Sequence, residues 1–175
     1  MPISTLTKTG RAALAFALST RPLHLAWGSG DPAWDAEDAV LPSLVEATAL
    51  VHEVGRRTVS SLFFVEQDDA GDIVIPLGLT SSGVMQSVRY RRAEGVTPNL
   101  YVSVFFDYED AANAVIREAA LFSDTETLPE LPPGQRYFTP DQLANPGKMI
   151  AVQILQPAKN RSASVRESME FVLPI

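Results

Sequence analysis

The run 100–107 constrains this chain more than any other feature. Leu100, Val102, Val104 and Phe106 alternate with Tyr101, Ser103, Phe105 and Asp107. A period of two sustained over this length marks a β-strand with one buried face, and a helix does not satisfy it. The habit recurs along the chain. Leu23, Leu25 and Trp27 alternate with His24 and Ala26, which predicts a short strand with His24 turned to solvent. Residues 61–65 are β-branched and aromatic with both faces apolar. The turn residues 68–72 follow, and Ile73, Val74 and Ile75 are expected to return as the hairpin partner. Val84, Val88 and Tyr90 alternate with Met85, Ser87 and Arg89, and this run is expected beside 100–107 in one antiparallel sheet. Ile150, Val152 and Ile154 form one late strand, and Met169, Phe171 and Leu173 another.

Helical signals are fewer. Thr5 or Thr7 can cap a helix whose Ala- and Leu-rich body is 11–18, stopped by Arg21-Pro22. Ala13, Phe16 and Ala17 fall on one face, which is expected to dock. Ala112, Ile116, Ala119 and Ala120 also lie at helical spacing, and although Val115-Ile116 and Leu121-Phe122 would also suit a strand end, the periodicity leans helical. Between Ser123 and Gly147 lie five prolines and little periodicity. A stretch of that kind in a compact domain is often a docking loop. Within it, Thr139-Pro140-Asp141-Gln142 reads as a capping box opening one helical turn, closed by Asn145-Pro146-Gly147. The fold expected is mainly β (α+β): an antiparallel sheet or sandwich in a single domain over 1–175. It carries an N-terminal helix at 4–20 and a Pro-rich docking loop at 123–147.

Composition removes whole function classes. The absence of cysteine from all 175 residues excludes a disulfide framework, a thiolate zinc site and a cysteine nucleophile. Lys plus Arg number 14 against 21 Asp plus Glu, a net charge of −7. That balance opposes nucleic-acid binding, whose main term is phosphate neutralisation. The apolar run 12–18 is far shorter than a membrane span. Lys8 and Arg11 ahead of it make only a weak signal-peptide pattern, and Thr20-Arg21-Pro22 is a poor cleavage context. The chain therefore reads as soluble, without membrane insertion.

Catalytic patterns are missing from the sequence. His24 and His52 sit in no H-x-H or H-E-x-x-H arrangement, and neither a G-x-S-x-G elbow nor an S-x-x-K pattern occurs. Gly28-Ser29-Gly30 lacks the Lys-Ser/Thr of a phosphate loop and reads as a turn. Asp31, Asp35, Glu37 and Asp38 offer oxygens to a cation without EF-hand spacing, so a solvated acidic connection is the expectation. Arg89-Tyr90-Arg91-Arg92 reads as a charged strand edge that discourages sheet-to-sheet association. No cofactor, metal or catalytic residue is assigned, and the chain is expected not to be an enzyme.

Two segments carry a resemblance. Thr48-Ala49-Leu50-Val51-His52-Glu53-Val54-Gly55-Arg56-Arg57 is followed, after several strands, by Ala114-Val115-Ile116-Arg117-Glu118-Ala119-Ala120-Leu121-Phe122. In that order they resemble the N-terminal, baseplate-proximal domain of bacteriophage tail-collar fibre proteins. Leu6-Thr7-Lys8-Thr9-Gly10-Arg11-Ala12-Ala13 and Leu25-Ala26-Trp27-Gly28-Ser29-Gly30-Asp31 are similar to that domain's helix and glycine-rich first-strand exit. The chain departs from the family at Ala119-Ala120, where a pair ending in glycine is usual, and it carries no long fibrous repeat. The resemblance implies that residues 115–122 form a strand. It also implies a structural virion protein of the tail, made in the host cytoplasm. Such a protein is a baseplate-proximal connector that attaches fibres through contacts with other tail, baseplate and fibre proteins, and it is a homo-oligomer in the assembled tail. Trp34, Tyr137 and Phe138 lie outside the regular strands, and with Arg136 they are the expected partner interface, since aromatics anchor interfaces. A β-sandwich module that holds a host glycan is the alternative.

Overall fold

The computed structural model describes residues 4–79 and 85–175 and is mainly β. In chain order its first elements are α1 (Lys8–Ser19), β1 (Leu23–Gly28), a 3-10 turn (Pro32–Asp35), β2 (Glu53–Thr58) and β3 (Ser61–Gln67). β4 (Ile73–Leu79), β5 (Met85–Arg92), β6 (Asn99–Phe106) and β7 (Val115–Ser123) follow. The last third holds β8 (Glu126–Thr127), β9 (Tyr137–Phe138), a second 3-10 turn (Pro140–Gln142), β10 (Leu143–Asn145), β11 (Lys148–Asn160) and β12 (Glu167–Pro174). The chain divides into two compact units. One comprises Met1–Thr20, Ser60–Ser103 and Met169–Ile175, and the other Arg21–Val59 and Val104–Ser168.

In the first unit the sheet order is β12-β6-β3-β5-β4. Its core packs Val65, Ile75 and Tyr101 against Phe63, Ile73, Tyr90 and Val172. The expected 61–65/73–75 hairpin does not form. β3 pairs with β6 through Phe64↔Leu100 and with β5 through Val65↔Arg92, whereas β4 pairs with β5. Tyr90 is the register partner of both Gln67 and Ile73. The acidic turn between them is thus an excursion that returns the chain to β5, which adjacency in sequence cannot reveal. β5 and β6 share the sheet as expected, but β3 lies between them. Val84 lies outside the described residues. β5 is also not an edge, so its arginines do not guard one. Arg91 instead pairs with Glu66 at 2.9 Å and Asp68 at 3.2 Å.

Thr7 caps α1, its side chain accepting from the Gly10 N–H at 3.0 Å. The docked face is not the expected one: Ala15 is buried, while Ala13, Phe16 and Ala17 are exposed. The body is apolar almost all round, so spacing alone does not select a face.

In the second unit the sheet order is β11-β7-β1-β2-β9. β1 lies inside it and is buried at every position, which overturns the expectation of a solvent-facing His24. β7 confirms the strand implied by the resemblance against the helical spacing. The residues before it turn instead of coiling, with Ala111 (φ 50°) and Asn113 (φ 63°) in the left-handed region. From Ile116 to Ser123 nearly every position of β7 is buried, and burial on both faces erases the alternation that identifies a strand. The Pro-rich segment is ordered. β9 pairs with β2 through Arg57↔Tyr137 and Arg56↔Phe138, and β8 pairs with β10. Gln142 accepts from the Thr139 N–H at 3.1 Å, as its place in the capping pattern requires.

Candidate docking groove

β9 brings Arg136, Tyr137 and Phe138 against β2, and the loop 107–113 rises opposite them. A groove of about 760 Å³ lies between, lined among others by Arg57, Tyr108, Glu109, Arg136, Tyr137 and Arg166. Its wall is built from aromatic layers. Trp27 of β1 stacks on Phe106 with centroids 3.5 Å apart and planes 11° from parallel, and Phe106 meets Tyr137 edge-on at 6.4 Å. Gly55 lets this happen: a Cβ there would lie 2.2 Å from the Tyr137 hydroxyl oxygen. Burial, and then the carboxylate of Asp110, push the Tyr137 phenol up to about 12. It is a neutral hydroxyl at any physiological pH.

Arginines hold the opposite wall. Arg161 is buried and donates to the carbonyls of Asp107 (2.7 Å), Asp110 (3.2 Å) and Val165 (2.8 Å), with its guanidinium 5.4 Å from the Trp27 ring centre. Asp110 pairs with Arg57 and accepts from the Asp107 N–H at 2.7 Å. Arg166 pairs with Asp107 at 2.9 Å and lies 5.0 Å over the Tyr108 ring. Its guanidinium and the Tyr108 N–H hold the Asp107 carboxyl below the usual carboxylate range, the backbone bond being the larger cause. Five donors in a planar fork suit arginine to stapling a loop by its carbonyls.

Behind β9 a further arginine fixes the Pro-rich segment. Arg56 is fully buried, bonded twice to Glu53 at 2.7 Å, once to Thr125 at 2.8 Å and once to the Pro146 carbonyl. Its guanidinium lies 4.0 Å over the Phe122 ring. His24 is close by, 5.9 Å from the Phe138 ring and 3.3 Å from the Thr58 hydroxyl through Nε2. Burial, and secondarily Arg56, lower its pKa to about 4.

The structure therefore brings together Arg136, Tyr137 and Phe138 but not Trp34. Arg136 is exposed, Tyr137 is half-buried and Phe138 is buried. Trp34 is 8% exposed and packs on Gly30, whose φ of 57° and lack of a Cβ make room for the indole. Sequence reasoning missed Tyr108, Arg161, Arg166 and Trp27. Arginines inside or beside otherwise apolar strands were the available signal, but the sequence does not say which of them are buried. The acidic connection is explained locally: Asp31 accepts from the Ala33 N–H at 2.9 Å and Asp35 pairs with Arg117 at 2.7 Å. Among the described residues no three acidic or histidine side chains converge as metal ligands would. No described helix is long and apolar enough to cross a membrane.

A family model described as baseplate wedge 3 tail fiber network component matches residues 1–175. No curated protein matches the chain. The chain belongs to that family, and it is a structural component of the bacteriophage tail, at the baseplate and its tail fibres.

Proposed function

We propose that this baseplate component is a connector that attaches tail fibres to the baseplate by protein–protein contact, with the 107–113/β9 groove as one docking face. One observation carries the reading. The groove has an aromatic wall and an arginine-bearing rim, and both sides are fixed in place before any partner arrives. Preorganised aromatic and arginine groups are the composition of interface hot spots, because little ordering entropy remains to be lost on binding. Arg136 and the open edge of Tyr137 contact the partner together with Tyr108, which is 45% exposed. Phe138 supports the surface from beneath, while Trp34 lies apart from it, packed on Gly30. The reading includes synthesis in the host cytoplasm and several copies of the chain per tail, as closed symmetric assemblies require.

The ring faces argue against a glycan platform, which needs an open aromatic face. The Arg166 guanidinium covers Tyr108, and Tyr137 packs on Phe106. The test is complementation of a phage lacking this gene product with the Tyr108→Ala/Arg136→Glu double variant. The variant chain should fold normally and fibre occupancy on purified particles should fall at least about ten-fold, the effect of losing two anchors. Wild-type fibre occupancy would overturn the groove as a docking face.

A further inference from the structure

Two consecutive residues of β7 hold the two ends of one long loop. Arg117 donates to the Asp35 carboxylate at 2.9 and 2.7 Å and to the Ser29 carbonyl at 2.9 Å. Glu118, 3% exposed, accepts from the Val51 and His52 N–H groups at 3.1 and 3.0 Å. The His52 carbonyl in turn accepts from the Ser29 N–H at 2.8 Å. Neighbouring strand residues point to opposite faces, so one short stretch of β7 secures both feet. The buried Trp34 and Leu50 pack at those feet. Between them, residues 36–49 form neither helix nor strand.

That span does not look like an ordinary surface loop. Loops are polar because water must satisfy their backbone. Here Val40, Leu41, Pro42, Leu44 and Val45 make an apolar tip, with Val40 94% and Val45 86% exposed. Glu37, Asp38 and Glu46 flank it and are exposed. No lysine or arginine occurs between Arg21 and Arg56, so the arm offers its surroundings only negative charge. An apolar tip in an acidic collar, carried on two fixed feet, fits an apolar groove rimmed by cations.

We propose that residues 36–49 are a docking arm that seats its Val40–Val45 tip in an apolar groove, bordered by lysine and arginine, on a different protein of the baseplate or fibre. This rests on the reading of the chain as a contact-making connector but uses a surface separate from the 107–113/β9 groove. The acidic collar steers the encounter and the apolar tip supplies the burial.

The test places the photo-cross-linker p-benzoylphenylalanine at Val40 or Val45 of the full chain, in phage assembled by complementation. Irradiated particles are analysed by mass spectrometry. The expected product joins the arm to one other tail protein, at a peptide whose apolar residues border Lys or Arg. In a Glu37→Lys/Asp38→Lys/Glu46→Lys background its yield should fall at least about ten-fold. Four results would overturn the proposal: no inter-protein product in assembled particles, a product with a second copy of this chain, a product at an acidic surface, or a yield indifferent to the charge reversal. Fibre occupancy of the Tyr108→Ala/Arg136→Glu particles is scored separately, so failure of the arm and failure of the groove are told apart.

Discussion

His24 makes the stability of the second unit depend on pH in a window where few other groups titrate. The imidazole sits on a fully buried strand beside Phe138, Thr58 and the guanidinium of Arg56. Its pKa is lowered from 6.5 to about 4, first by burial and then by Arg56. The folded state therefore binds the proton less readily than the unfolded chain does. Stability is full above pH 6.5 and is lost as the pH falls from there towards 4. That difference corresponds to about 3 kcal/mol in the acid limit, most of it lost between pH 7.5 and 4.5. The carboxyls of Asp35, Asp107 and Asp124 are lowered from 3.8 by arginine and backbone partners. Folded stability tied to them is lost mainly below the ordinary carboxylate range, under this window. Urea unfolding at pH 7.5 and 4.5 should show the decrement in the native chain. It should show most of it gone in His24→Gln, which cannot take up a proton. Equal pH dependence in both proteins would refute the assignment of the cost to this imidazole.

Two further outcomes follow from groups around the groove. Replacing Arg56 with Met leaves Glu53 without its cation and removes the bonds to Thr125 and Pro146. Unfolding free energy should drop by about 3–5 kcal/mol, whereas Arg21→Ala, which breaks an exposed pair with Asp124, should change it by no more than about 1 kcal/mol; denaturant titration separates the two. In Gly55→Ala the new methyl collides with Tyr137 and should lift β9 from β2. A spectrophotometric titration should then show a phenol that ionises well below the native value of about 12, and an unchanged titration would mean that Gly55 does not set the position of Tyr137.

The β class was legible because alternation on half-buried strands such as 100–107 is a direct imprint of the pleat. Where both faces are covered the imprint vanishes. β7 was recovered through the resemblance of its segment to tail-fibre domains, since its own spacing favoured a helix. His24 was misplaced because the same alternation was read on β1, whose six positions are all buried. Pairing was the weaker inference: the 68–72 turn looks like a hairpin turn and behaves as an excursion along one partner. The groove was half legible. Arg136, Tyr137 and Phe138 announce themselves as large groups in a segment without period. Tyr108, Arg161 and Arg166 do not, because their role depends on which carbonyls and rings the fold brings within reach.

The second unit spends its buried charges on loops. Arg161 gathers the carbonyls of the 107–110 turn and of Val165, Arg56 gathers the Pro-rich segment, and Arg117 with Glu118 gathers the feet of the 36–49 arm. Burying an ion pair adds little net stability compared with an apolar pair of the same size. A loop cannot be held by apolar contact alone, however, because its unpaired carbonyls and N–H groups need partners. Arginine and glutamate supply several such partners from one side chain. What these residues fix is the direction in which irregular segments project, and under the proposed function those segments are the surfaces the chain offers to its neighbours. Loosening a staple should therefore impair assembly before it unfolds the strands beneath, since those strands keep their own ladders when the loop is released.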